Sequence, residues 1–282
     1  MKVRVPASSA NLGPGFDALA VALSLYIDVQ IEPADHLTLT TSGFGSEISD
    51  PEAHLAVKLI RRIVGHDRVA LSIHSEIPLA RGLGSSAALA IGVAAAAGHD
   101  APLAIGIAVD GHAENAAASL YGGLVTASVD DDNVFVHQLA LDEALQFVLV
   151  IPNRELATAE ARAVLPSSLS YHDAAFNLSR VAALTAGLAD HRQLVATAMD
   201  DRLHQPYRMP LLPFASDVLV AMREAGALAS CWSGAGSTML GVTTNDEASA
   251  VAEAARDVLA AHSEPGDVRI VAADRRGVTT LP

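Results

Sequence analysis

The sequence predicts a chain of mixed strands and helices in two successive units, and three observations carry that expectation. Two stretches in the first hundred residues alternate apolar and polar side chains with period two, as half-buried strands do. The run between them repeats its apolar residues at helical spacing. Near residue 145 the pattern changes to a buried strand followed by long helical stretches, which sets an expected boundary at 140–150. At 282 residues the chain is long enough for one large core or two modest ones.

The elements follow in chain order. "VRV" (residues 3–5) alternates as a strand, and "NLGPGFDALAVAL" sets a Gly-Pro-Gly turn before an apolar run. Residues 26–32 ("YIDVQIE") and 68–77 ("RVALSIHSEI") are the two half-buried strands. Between them, "PEAHLAVKLIRRIVG" carries Leu55, Leu59, Ile60, Ile63 and Val64 at helical spacing, with Gly65 as a stop. Two more helices are expected over 85–97 and 102–117, then strands at 124–129 and 134–139. Residues 145–153 ("LQFVLVIPN") read as a buried strand, followed by helical patterns to about residue 202 and another over 213–225. After "ALASCWSGAGSTMLGV" come a helix over 246–261 and a final strand in "DVRIVAA", so the tail has strand–helix–strand–helix–strand character.

Composition excludes several classes of function. A net charge of −14 argues against a broad nucleic-acid surface, which would need a basic stripe, and against an anionic membrane surface. Lys2 and Lys58 are the only lysines, so arginine supplies nearly all positive charge. The only cysteine, Cys231, permits no disulfide within the chain and reads as a buried small hydrophobe beside Trp232. The start lacks an apolar stretch of signal-peptide length, and the alanine-rich run over 87–97 is too short to span a bilayer. The expectation is a cytoplasmic protein. The histidines are scattered without ligand spacing, which argues against a metal hydrolase.

One stretch carries chemistry. "PLARGLGSSAALAIG" (residues 78–92) is a glycine-serine turn leading into a helix, and it lacks the lysine of the common phosphate loop. A cradle without lysine works through the unpaired amides and partial positive charge of a helix's first turn. Gly82 and Gly84 let backbone approach a phosphate, and serine hydroxyls suit a magnesium ion. Taken alone, the stretch is equally readable as a glycine turn with a serine N-cap.

Residues 77–88 ("IPLARGLGSSAA") resemble the nucleotide loop of the GHMP kinase superfamily. Two further blocks resemble that family in the right order, "PASSANLGPGFDALAVAL" near the start and "WSGAGSTMLGV" near the end. "SSANLGPGFDALA", "GHAENAAASLYGG", "TAEARAVLP" and "DRLHQPYR" are similar to its homoserine kinase branch. The resemblance implies an α+β fold of two domains: residues 1–145 like ribosomal protein S5 domain 2, and residues 146–282 ferredoxin-like, with the active site between them. It implies Mg-assisted, ATP-dependent phosphorylation of the L-homoserine hydroxyl to O-phospho-L-homoserine in threonine biosynthesis. Homodimers are common in the family, and no interface is legible in this sequence.

Site residues follow from the matched segments. Pro78, Leu79, Ala80, Arg81, Gly82, Leu83, Gly84, Ser85, Ser86 and Ala87 would hold the nucleotide. Homoserine is a zwitterion with a distal hydroxyl. Arg162 and Arg208 are assigned to its carboxylate, Asp17 to its ammonium, and Asn11, His112 and Asn115 to orienting the hydroxyl. Asn11, Thr158 and Arg208 form the expected catalytic set, without a general base. Ser86 and Asp110 are the expected magnesium ligands; Asp110 stands where the family keeps a glutamate. Glu114, in place of the usual aspartate, is the rival. Two alternatives stay open at this level: a sister kinase acting on another small alcohol such as mevalonate or shikimate, and a non-catalytic ligand sensor of the same fold.

Overall fold

The computed structural model describes residues 1–48, 50–131 and 133–282. β1 (Lys2–Ala10) runs antiparallel to β2 (Leu19–Pro33) across the turn at residues 11–18. β3 (Thr38–Gly43) and β4 (Val69–Ser75) are joined through helix α1 (Leu55–Val64) and lie parallel, as a helical crossover permits. α1 begins at His54, whose Nδ1 accepts from Ala56 N–H at 3.2 Å, and ends at left-handed Gly65, the stop read from sequence.

Next come α2 (Ser85–Ala96), α3 (Pro102–Asp110), α4 (Ala113–Tyr121), β5 (Leu124–Asp130) and β6 (Asn133–Leu139). The long β2 organises the sheet: its second half pairs β4, while its start pairs β5, which in turn pairs β6. α2 is apolar all round because α1, α3 and α4 flank it over β1 and β2. The expected helix over 102–117 is in fact two. Gly111, left-handed at φ 79°, ends α3, and extended His112 starts α4. Side-chain periodicity misses the break because it does not register the left-handed backbone at Gly111. The break matters, since it turns Asp110, His112 and Glu114 toward one cleft.

The second sheet holds β7 (Leu145–Pro152), β8 (Ala229–Trp232), β9 (Met239–Thr244) and β10 (Gly266–Ala272) in the order β10-β7-β9-β8, all antiparallel. α5 (Thr158–Ala163), α6 (Tyr171–Ala189), α7 (Gln205–Arg208) and α8 (Ala215–Glu224) connect β7 to β8, and α9 (Ala248–Ala261) connects β9 to β10. This is the ferredoxin-like βαββαβ order. A short last strand, β11 (Thr279–Leu281), absent from the sequence reading, returns to the first sheet beside β1.

β7 explains its own unbroken apolar run, because it is buried on both faces. Leu145, Phe147, Leu149 and Ile151 join the core that also contains Val5, Leu23 and Ile60. Val148 and Val150 point the other way, to Val218, Met222 and Val251 on α8 and α9. One core therefore runs continuously across both sheets. Truncating a side chain such as Phe147 to alanine would cost about 3–5 kcal/mol. Cys231 is buried in this core, and burial raises its thiol pKa far above the usual range, as fits an inert hydrophobe. Among the described residues, no helix is long and apolar enough to cross a membrane.

Candidate active site

The cleft lies where the loop before α2, the turn after β1, the α3–α4 break, α5, α7 and the β8–β9 turn converge. The loop folds as the glycines dictate. Gly82 and Gly84 are left-handed at φ 70° and 64°, and Gly84 is the N-cap, so the helix starts at Ser85 and no serine side chain caps it. A Cβ on Gly82 would stand 2.2 Å from Ser233 O, and one on Gly84 would stand 2.1 Å from Ser8 Oγ. Both positions thus require glycine by conformation and by space. None of the described backbone N–H groups from Gly82 to Ala87 donates to a protein acceptor. They form the unsatisfied mouth of a 12-residue helix.

Arg81, expected in the nucleotide loop, turns its guanidinium away. It donates to Pro152 O at 2.9 Å, Leu79 O at 3.0 Å and Asn153 O at 2.6 Å. No lysine lines the cleft. Beside the loop a second, apolar cavity opens, lined by Ile27, Phe44, Leu55, Ile73, Leu79 and Leu89, and it shares Ala80, Ser85 and Ser86 with the cleft.

The basic end is built from α5 and α7. Arg208 is buried, and its Nε and Nη1 hold Ala161 O and Gly234 O, each at 3.1 Å. Its Nη2 makes no hydrogen bond to a described residue, and the side chain lines the cleft. Burial, with Arg162 nearby, pulls its pKa down to about 10, so the site carries two guanidinium groups whose charge is not fully offset. Arg162 donates to Asp17 Oδ1 at 2.6 Å, and the two side chains are each about one-third exposed. The two residues assigned to opposite ends of a zwitterion therefore pair with each other. Phe16 lies under both guanidiniums, at 5.3 Å from Arg162 and 5.5 Å from Arg208.

Asn11 lines the cleft, but its amide is occupied. Nδ2 donates to Gly234 O at 2.8 Å, and Oδ1 accepts from Asp17 N–H at 2.9 Å. It staples the β1 turn to the β8–β9 turn. Ser233 extends this stitching through Ser9 Oγ and Gly82 O.

The acidic end comes from the α3–α4 break. Asp110 accepts from Asn115 Nδ2 at 3.0 Å, while Asn115 Oδ1 accepts from Ser8 Oγ at 2.8 Å. Burial raises the Asp110 pKa. Glu114 is 3% exposed, and its Oε2 has no hydrogen-bond partner among the described residues. Burial raises its pKa to about 7, and the charges of Asp17 and Asp110 push the same way. His112 and Thr158 also line the cleft, His112 just before α4 and Thr158 as the first residue of α5. Every side chain assigned to the substrate or metal from sequence lies in this one cleft. Sequence reading missed Phe16, Ser8 and His204. The last had a signal: it precedes Arg208 by four residues, one helical turn.

The family model for the GHMP kinases N terminal domain matches residues 52–123, and that for the GHMP kinases C terminal matches residues 182–261. A homoserine kinase of Moorella thermoacetica is 41% identical over 84% of this chain and 86% of its own length. One of Desulfitobacterium hafniense is 34% identical, with 100% of both chains covered. The crystal structure of homoserine kinase from Cytophaga hutchinsonii superposes with a TM-score of 0.87 at 26% identity, covering 100% of this chain and 97% of that one.

Proposed function

Because this chain belongs to the homoserine kinase family of the GHMP kinases, we infer that its cleft transfers the terminal phosphoryl group of ATP to the side-chain hydroxyl of L-homoserine. The product is O-phospho-L-homoserine, for threonine biosynthesis. The observation that carries this reading is the pairing of free loop amides with two guanidiniums in one cleft: an anion cradle beside a carboxylate clamp. With its single buried cysteine, the chain is read as a cytoplasmic enzyme.

The triphosphate lies along the N–H groups of residues 82–87, and the flat base occupies the neighbouring apolar cavity. The homoserine carboxylate takes Arg208 Nη2 and Arg162, and the ammonium takes Asp17. The zwitterion thus inserts into the Asp17–Arg162 pair and exchanges one ion pair for two. His112, Asn115 and Thr158 surround the hydroxyl end, and Asn11 acts by holding the Asp17 turn. Phosphoryl transfer asks mainly for positioning and charge neutralisation, so the hydroxyl proton is free to leave late, to a phosphate oxygen.

The donor set fits a magnesium ion, since a buried, unpartnered carboxylate oxygen between two other acids is relieved by a hard cation. Ser86 and Glu114 would hold it, because Asn115 already engages one carboxylate oxygen of Asp110 while Glu114 Oε2 has no partner among the described residues. When bound, the ion neutralises phosphate charge. Glu114 thereby displaces Asp110 as the favoured ligand.

The test is an ADP-release assay with homoserine, mevalonate and shikimate offered separately. Homoserine alone supports magnesium-dependent release on this reading. Turnover of mevalonate or shikimate but not homoserine, or no turnover at all, overturns it. The latter is what a sensor would give.

A further inference from the structure

His204 is fully buried one helical turn before Arg208, outside the residues that line the cleft. Its Nε2 lies 2.8 Å from Gly13 O, and its Nδ1 lies 3.0 Å from Arg208 Nη1. A carbonyl only accepts and a guanidinium only donates, so a single state satisfies both contacts: the neutral ring with the proton on Nε2. One face of the ring stacks on Phe16, with ring centroids 5.1 Å apart. The nearby Asp201 carboxylate is already taken by Asn177 Nδ2 and by the N–H groups of Leu203, His204 and Gln205. The ring is therefore held at both nitrogens and stacked on one face.

From this geometry we propose that His204 is a positioning residue for homoserine recognition: its Nδ1 fixes the Arg208 guanidinium with Nη2 facing the cleft, while Nε2–H ties that guanidinium to the Gly13 turn carrying Phe16 and Asp17. The proposal rests on the reading of Arg208 as a carboxylate ligand. Arg208 hangs from three acceptors, Ala161 O, Gly234 O and His204 Nδ1. The two carbonyls come from separate segments, and His204 is the one acceptor on the same helical turn. The imidazole thus couples the carboxylate clamp to the turn that supplies the ammonium site. Burial of the ring, chiefly, lowers its pKa and keeps it in the neutral state this bond requires.

Two near-isosteres separate the two bonds. His204→Asn keeps an acceptor oxygen where Nδ1 stands, and His204→Gln keeps a donor toward Gly13 O but loses the acceptor for Arg208. We expect His204→Gln to raise KM for homoserine about tenfold, the worth of one hydrogen bond to a charged group. KM for ATP should stay within about twofold, and His204→Asn should recover most of the loss. His204→Phe, which keeps the stack and removes both bonds, serves the same purpose should the glutamine variant not fold. Equal losses in the Asn and Gln variants, a parallel rise in both KM values, or no change overturns the proposal. Arg208→Ala is measured alongside. If it leaves KM for homoserine unchanged, the carboxylate reading falls and the proposal with it. If it raises KM while His204→Gln does not, only the role of His204 falls.

Discussion

Replacing Glu114 with glutamine tests the acidic end of the cleft through stability as well as activity. The carboxyl is 3% exposed, has one oxygen without a partner among the described residues, and burial raises its pKa from 4.5 to about 7. The sign follows from linkage. An acid whose pKa is raised by folding is no burden below 4.5, where it is protonated in both states. Stability is lost as pH rises toward 7, because only the unfolded chain ionises it freely. The penalty is about 1 kcal/mol at pH 5 and roughly 3 kcal/mol at pH 8. Glutamine keeps the shape and removes the charge. In metal-free buffer without nucleotide, Glu114→Gln should therefore melt roughly 6 °C above the parent at pH 8 and only about 2 °C above it at pH 5. Thermal melts at the two pH values read this directly. ADP release by the variant should fall, and magnesium with nucleotide should stabilise the parent more than the variant. Equal melting differences at both pH values would mean that Glu114 is not a buried acid with a raised pKa.

Arg208→Ala should raise KM for homoserine about a hundredfold, with KM for ATP nearly unchanged, in the steady-state ADP-release assay. The competitive inhibition constant of 3-aminopropan-1-ol, which keeps the ammonium and hydroxyl but lacks the carboxylate, should barely move in the same variant. Asn11→Ala removes the bonds to Gly234 O and to Asp17 N–H and leaves a left-handed alanine at φ 70°. It should raise KM for homoserine roughly tenfold through the loosened Asp17 turn, again with ATP nearly unaffected. Gly82→Ala does the reverse. Left-handed strain of about 1–2 kcal/mol adds to a Cβ placed 2.2 Å from Ser233 O, so calorimetric ATP affinity should drop by more than about tenfold.

Much of the architecture was legible because its signals are local. The period-two strands, the Gly65 stop and the helix opening at Ser85 each depend on neighbours within a few residues, and the structure has them there. The break at Gly111 escaped a periodicity count, which registers side-chain spacing and not the left-handed backbone that ends α3 there; Gly111, just after the apolar α3 run, was the available stop signal. β11 escaped for a related reason: three residues carry no pattern, and only pairing with β1 makes them a strand. In the site, the sequence named side chains but not their partners. Asn11 was read as facing substrate, yet its amide spans to Gly234, 223 residues away. The turn of Arg81 toward β7 and the orphaned oxygen of Glu114 likewise arise from contacts between distant segments. His204 shows the opposite case, where helical spacing before Arg208 was visible and its meaning was not.

Peptide nitrogens at the mouth of α2, without a lysine, are proposed to grip the triphosphate. Amide chemical shifts of residues 82–87, followed by 15N NMR while a non-hydrolysable ATP analogue is titrated in with magnesium, test it most directly. Those amide protons should shift downfield and saturate together, with Lys2→Ala and Lys58→Ala binding the analogue as the parent does. Saturated binding that leaves those amides unmoved, or that is lost with either lysine, would contradict it.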